Sequence, residues 1–122
     1  MTDYNQAIEE RLQHLAGLVS GWDSYGGLSI SPRAIVTTRA IIREVMATGS
    51  NLPMPYIAPC GDGTLSVEWE MPDGNVLTID VPLADGPVDI LWVDADRVDA
   101  EELVCERWAV GKVIRRLLER KT

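Results

Sequence analysis

The stretch Thr64–Val81, TLSVEWEMPDGNVLTIDV, decides the fold. On one side of Asp73-Gly74, Leu65, Val67 and Trp69 alternate with Ser66, Glu68 and Glu70; on the other, Leu77, Ile79 and Val81 alternate with Thr78 and Asp80. A period of two belongs to a strand with one buried face, and Asp-Gly between two such runs is a strong hairpin signal because primed turns need positive φ. Two more Asp-Gly pairs flank this unit, Asp62-Gly63 eleven residues before and Asp85-Gly86 twelve residues after. Beyond the latter, Val88, Ile90 and Trp92 oppose Asp89, Leu91 and Val93. Before the former, Pro53, Pro55 and Pro59 exclude helix and leave an extended edge segment over Met54–Cys60. The pattern predicts a four-stranded antiparallel meander with one buried face.

Helical periodicity lies on both sides of the meander. Tyr4, Ile8, Leu12, Leu15 and Val19 recur at three- and four-residue steps and predict a helix from Asp3 to Ser20, with Asp3 and Gln6 as its capping pair. Ser31-Pro32 announces a second helix, with Ile35, Ile42, Val45 and Met46 as its apolar stripe and Gly49 at its end. Asp99 and Glu102 read as a capping box that opens a last helix, striped by Leu103, Val110, Val113, Ile114 and Leu117. The expected architecture is a single α+β domain over residues 1–122, in the order α-α-β-β-β-β-α, with the last helix packed on the sheet. A chain of 122 residues and 13.5 kDa suits one such domain.

Charge is divided along the chain. Residues 1–61 hold five acids and four bases, a net of −1; residues 62–106 hold thirteen acids and one base, Arg97, a net of −12; residues 107–122 hold six bases and one acid, a net of +5. The formal total of −8 argues against a general nucleic-acid binder or a ligand of anionic membranes. No apolar run approaches the ~18–20 residues of a membrane span, and Met1–Asn5 has neither the basic nor the apolar region of a signal peptide. A cytoplasmic protein is therefore expected. Cys60 and Cys105, 45 positions apart, are expected as free thiols.

The loop Gly21-Trp22-Asp23-Ser24-Tyr25-Gly26-Gly27 is the most distinctive motif. As a recognition loop it would present Trp22 and Tyr25 as rigid anchors and Asp23 as a polar contact. As a wedge it would pack both aromatics under the sheet, with Asp23 capping a nearby N–H. The wedge is the preferred reading, because a chain without Phe needs its aromatics in the core. A short helix, Gly-Trp-Asp-x-Tyr-Gly, a Ser-Pro-capped helix, then Pro55-Tyr56-Ile57-Ala58-Pro59 and Glu68-Trp69-Glu70 together resemble a widespread group of small prokaryotic proteins. The resemblance covers about residues 8–80 and implies a bacterial or phage-associated protein. It carries no activity or catalytic residue with it.

Chemistry-bearing constellations are scarce. Glu68, Glu70, Asp80 and Asp89 should share the outward sheet face, where they would bind a cation, act as acid and base, or simply be wet. Asp94, Asp96 and Asp99 are spaced somewhat like a calcium loop but break its pattern, with Asp99 in place of the glycine and Cys105 in place of the bidentate Glu. A single histidine, His14, and two scattered cysteines make no zinc set and no nucleophile–base pair. No Gly-x-Ser-x-Gly elbow, Walker loop or dinucleotide fingerprint occurs. No catalytic residue, cofactor or metal is expected.

These observations predict a non-catalytic acidic module that masks a basic surface of a protein partner, a nucleic-acid-binding groove being one such surface. Antitoxins, immunity proteins and phage anti-defence inhibitors of the anti-CRISPR kind work in this way. The residues expected to carry the contact are Glu68, Glu70, Asp80, Asp89, Asp94 and Asp96, with Trp22, Asp23 and Tyr25 beside them. One alternative is a small-ligand protein or enzyme with its site at Gly21–Gly27 and Tyr56. The other is a scaffold subunit, a homodimer through its C-terminal helix.

Overall fold

The structure, a computed structural model, describes residues 4–48, 51–83 and 86–121. Helix α1 (Tyr4–Ala16) and helix α2 (Pro32–Met46) precede five strands, β1 (Tyr56–Pro59), β2 (Leu65–Glu70), β3 (Val76–Val81), β4 (Val88–Val93) and β5 (Ala100–Cys105). A 3-10 turn at Arg107–Ala109 then leads into helix α3 (Val110–Lys121). The strands form one antiparallel sheet in sequence order. The fold is α+β, with a five-stranded sheet in place of the expected four.

The inward faces follow the alternation of the sequence. Leu65, Val67, Trp69, Leu77, Ile79, Val81, Val88, Ile90 and Trp92 are all buried. Against them pack Ile8, Leu12 and Leu15 of α1, six residues of α2 including Ile41 and Ile42, and Val110, Ile114, Leu117 and Leu118 of α3. Each fully buried aliphatic or aromatic side chain contributes about 1.5–3 kcal/mol by leaving water. Ser31 caps α2 as expected: its hydroxyl accepts from the Arg33 amide at 3.2 Å, and Pro32 occupies the first turn. Ion pairs tie the helices down, among them Arg39 to Glu9 (2.7 Å), Arg107 to Glu44 (2.9 Å), and Arg120 to Glu101.

Four expectations are corrected. The first helix ends at Ala16, not Ser20. The second ends at Met46 with Ala47 as its cap; Gly49 lies outside the described residues, as does Asp85 of the third Asp-Gly pair. The two described Asp-Gly loops are not primed two-residue turns. In each only the glycine is left-handed, Gly63 at φ 87° and Gly74 at φ 94°, after a reversal closed by Gly63 N–H to Cys60 and Gly74 N–H to Met71. Pro72 can therefore precede Asp73, which a two-residue turn would forbid.

The largest correction is at Asp99. It does not cap a helix; its carbonyl accepts the Asp94 amide at 3.0 Å and closes a hairpin. The chain reverses through Ala95–Val98, with Arg97 left-handed at φ 61°, and returns beside β4 as β5. Ala, Glu and Leu favour helix, so local preference pointed the other way. The free edge of β4 outweighed it, because pairing satisfies a whole row of backbone groups flanking Ile90 and Trp92.

Candidate functional site

The helices cover one face of the sheet, and among the described residues the other is open. In an antiparallel sheet, partners across the ladder share a face. The register therefore sets Tyr56, Glu68, Thr78, Leu91 and Glu102 in one outward row, and Ser66, Asp80, Asp89 and Val104 in the next. Glu70 leads a third row with Val76, Val93 and Ala100. Glu68, Glu70, Asp80 and Asp89 thus share this face, and all four are exposed. Not one outward-facing strand residue is Lys or Arg.

Asp80 and Asp89 stand directly opposite each other. Their Cβ atoms are about 4.5–5.5 Å apart by ladder geometry, and like charges so placed are destabilising. They form the shared wall of two shallow cavities. One, of about 290 Å³, is completed by Leu91, Glu102 and Val104; the other, of about 390 Å³, by Cys60, Asp62, Thr64, Pro82, Leu83 and Pro87. Four acids, Asp62, Asp80, Asp89 and Glu102, consequently line one band across the open face. In sequence, Asp62 and Glu102 read as a turn residue and a helix cap. Asp62 does serve its turn, accepting from the Thr64 amide at 3.1 Å and the Thr64 hydroxyl at 2.5 Å, and these bonds hold its carboxyl below the usual range. Burial pushes the Cys60 thiol above its ordinary value, which disfavours the thiolate.

The Gly21–Gly27 loop stands at this same end of the sheet. Leu28 N–H donates to Gly61 at 2.9 Å and Ser31 N–H to Gly63 at 3.0 Å, docking the loop on the β1–β2 turn. The carboxylate of Asp23 accepts from the Tyr25 amide at 2.9 Å and the Gly27 amide at 2.7 Å. Those two bonds, Tyr25's first, lower its pKa from the ordinary aspartate range. Gly27 is required for close approach, since a Cβ there would lie 2.7 Å from that carboxylate. The indole N–H of Trp22 is spent on the Leu28 carbonyl at 2.8 Å. The wedge reading fails for the aromatics: Trp22 is half-buried outside the core, and Tyr25 is 93% exposed. The core indoles are Trp69 and Trp92.

Asp94 and Asp96 lie at the opposite end of the sheet, in the β4–β5 turn. With Asp99 they bring carboxylate oxygens within 4.8 Å of one another. Asp94 already accepts the Trp92 indole N–H at 2.9 Å, and Asp96 the Val98 amide at 2.9 Å. These carboxylates cap their own turn. A further cavity of about 430 Å³ lies between Leu52, Met71, Trp92 and Leu118, and another of about 430 Å³ between α1 and α2; neither is lined by Gly21–Gly27. His14 is exposed, and both cysteines are free. No helix among the described residues is long and apolar enough to cross a membrane. Sequence reasoning passed over Trp108, which projects just beyond β5 and is 79% exposed. No protein-family model, curated protein or solved structure matches the chain, so the resemblance to the Gly-Trp-Asp-x-Tyr-Gly group rests on its motif alone.

Proposed function

We propose that this protein is a non-catalytic acidic binding module whose open sheet face occludes a basic surface on a protein partner, as an antitoxin, an immunity protein or a phage-borne inhibitor of a defence nuclease does. One observation carries the reading. Glu68, Glu70, Asp80, Asp89 and Glu102 share a face that no helix covers among the described residues and on which the strands place no base. A fold gains nothing from setting Asp80 against Asp89. A cationic ligand turns that repulsion into attraction and raises the rate of encounter. The exposed Tyr25 and Trp108 at the margins are the residue types that anchor interfaces.

The test is co-purification of a partner from the native host, then calorimetry with the wild type and with Glu68→Lys, Glu70→Lys, Asp80→Lys and Asp89→Lys combined. All four side chains are exposed, so circular dichroism should be unchanged. Reversal is expected to weaken binding at least about 100-fold at low salt, with wild-type affinity itself falling as salt rises. A partner whose affinity ignores both salt and the four reversals would falsify the reading.

A further inference from the structure

The two edges of the sheet are built differently. Hydrogen bonds alternate sides along an antiparallel strand. The Cys60 amide bonds the Thr64 carbonyl, so on β1 the residues bonding β2 are Tyr56 and Ala58, while Pro55, Ile57 and Pro59 face outward along the edge. Two of those three lack an N–H, and the third has its carbonyl taken by Arg11 Nε at 3.0 Å. That edge is closed. On β5 the Asp94–Asp99 bond sets the opposite phase: Glu101, Leu103 and Cys105 bond β4, and Ala100, Glu102 and Val104 present their N–H and C=O groups along the edge. Among the described residues nothing bonds those three. Beside this open edge, Leu103 and Cys105 are only half-buried although they pack on the core, Val104 is 66% exposed, and Trp108 stands just past the strand.

We infer that β5 accepts an extended segment of the basic partner as a sixth strand, with Lys or Arg at alternate positions on the outward face and apolar residues between them. The inference rests on the reading of the sheet as an acidic binding face, and it names the backbone that would hold the ligand. Chemistry on each side of β5 selects the pattern. Outward, the added strand meets Glu102, with Asp89 one strand further in and Glu106 just beyond the strand end. Inward, it meets Leu103 and Cys105 and completes their burial. A second copy of this chain fits less well. Two β5 strands about a two-fold axis would set Glu102 against its twin or diagonal to it, and each copy would bring its own net −12 segment to the junction.

The probe is the blocked peptide acetyl-Lys-Val-Lys-Val-Lys-Val-amide, compared with acetyl-Lys-Lys-Lys-Val-Val-Val-amide of equal charge and with the Glu-Val alternating peptide. The alternating basic peptide is expected to slow amide exchange at Ala100, Glu102 and Val104 at least about tenfold, and the other two to leave it unchanged. Val104→Pro deletes one edge donor outside the β4 ladder and is expected to weaken the alternating peptide about tenfold, its fold being checked by circular dichroism. Equal protection by both basic peptides, or none by either, overturns the inference. So does an edge already protected without peptide in a species of doubled mass, which would make a second copy the occupant. If charge reversal on the open face weakens a purified partner while edge exchange and Val104→Pro change nothing, only the strand docking falls.

Discussion

Asp23 accepts two amides of its own loop, and Gly27 lets the chain come close enough for it to do so. Its pKa is lowered by those bonds, so its contribution to the loop is present above the unfolded aspartate value and is lost as pH falls through the folded one. The Gly27 amide resonance is accordingly expected to titrate with a midpoint below that of an ordinary aspartate, and Asp23→Ala to abolish that titration while speeding exchange at Tyr25 and Gly27. A midpoint at or above the ordinary aspartate value would mean that the carboxylate does not hold the loop. The capping role of Asp23 is legible in the sequence, because a short side chain among glycines bonds locally. The exposure of Tyr25 is not. A chain without Phe would be expected to draw every aromatic into its core, but Trp69 and Trp92 fill the inward row and leave Tyr25 outside.

Elements whose pattern and caps agree came through nearly as read. Alternation marked β2, β3 and β4 to within a residue, and Ser31-Pro32 opened α2. The segment after Asp94 did not, because the signal that made β5 is not in its own residues. It lies in the edge of β4 and in a turn that puts an arginine where glycine is usual. That arginine offers a direct measurement. Arg97→Gly relieves a left-handed side-chain residue at the cost of a more flexible unfolded chain, and the net gain expected in denaturant unfolding is about 0.5 kcal/mol. A loss of stability on this change would show that the Arg97 side chain holds the hairpin and that the turn is not strained.

Over the whole molecule the net charge of −8 is an uneven sum. Part of the basic C-terminal segment is paired within the chain, Arg107 with Glu44 and Arg120 with Glu101, while the acids of the open face have no such partners on their own strands. The fold therefore carries a repulsion it does not need for folding. Asp80→Asn is expected to raise stability by about 0.5 kcal/mol, or roughly 2 °C in Tm, at low ionic strength. The gain should fade toward 1 M salt, where the screening length is about 3 Å. A gain that persists there would trace to packing or hydrogen bonding instead of charge.

The unlike edges of the sheet also govern how it can grow. Head-to-tail stacking of copies, which builds open-ended fibres, needs one receptive edge to meet another at every junction. Here Pro55, Pro59 and Arg11 close the β1 side, so a copy that docks through β5 offers no fresh edge behind it. If a strand adds to β5, the extended sheet would stop at the proline-bearing β1 edge, and growth past this protein would be blocked.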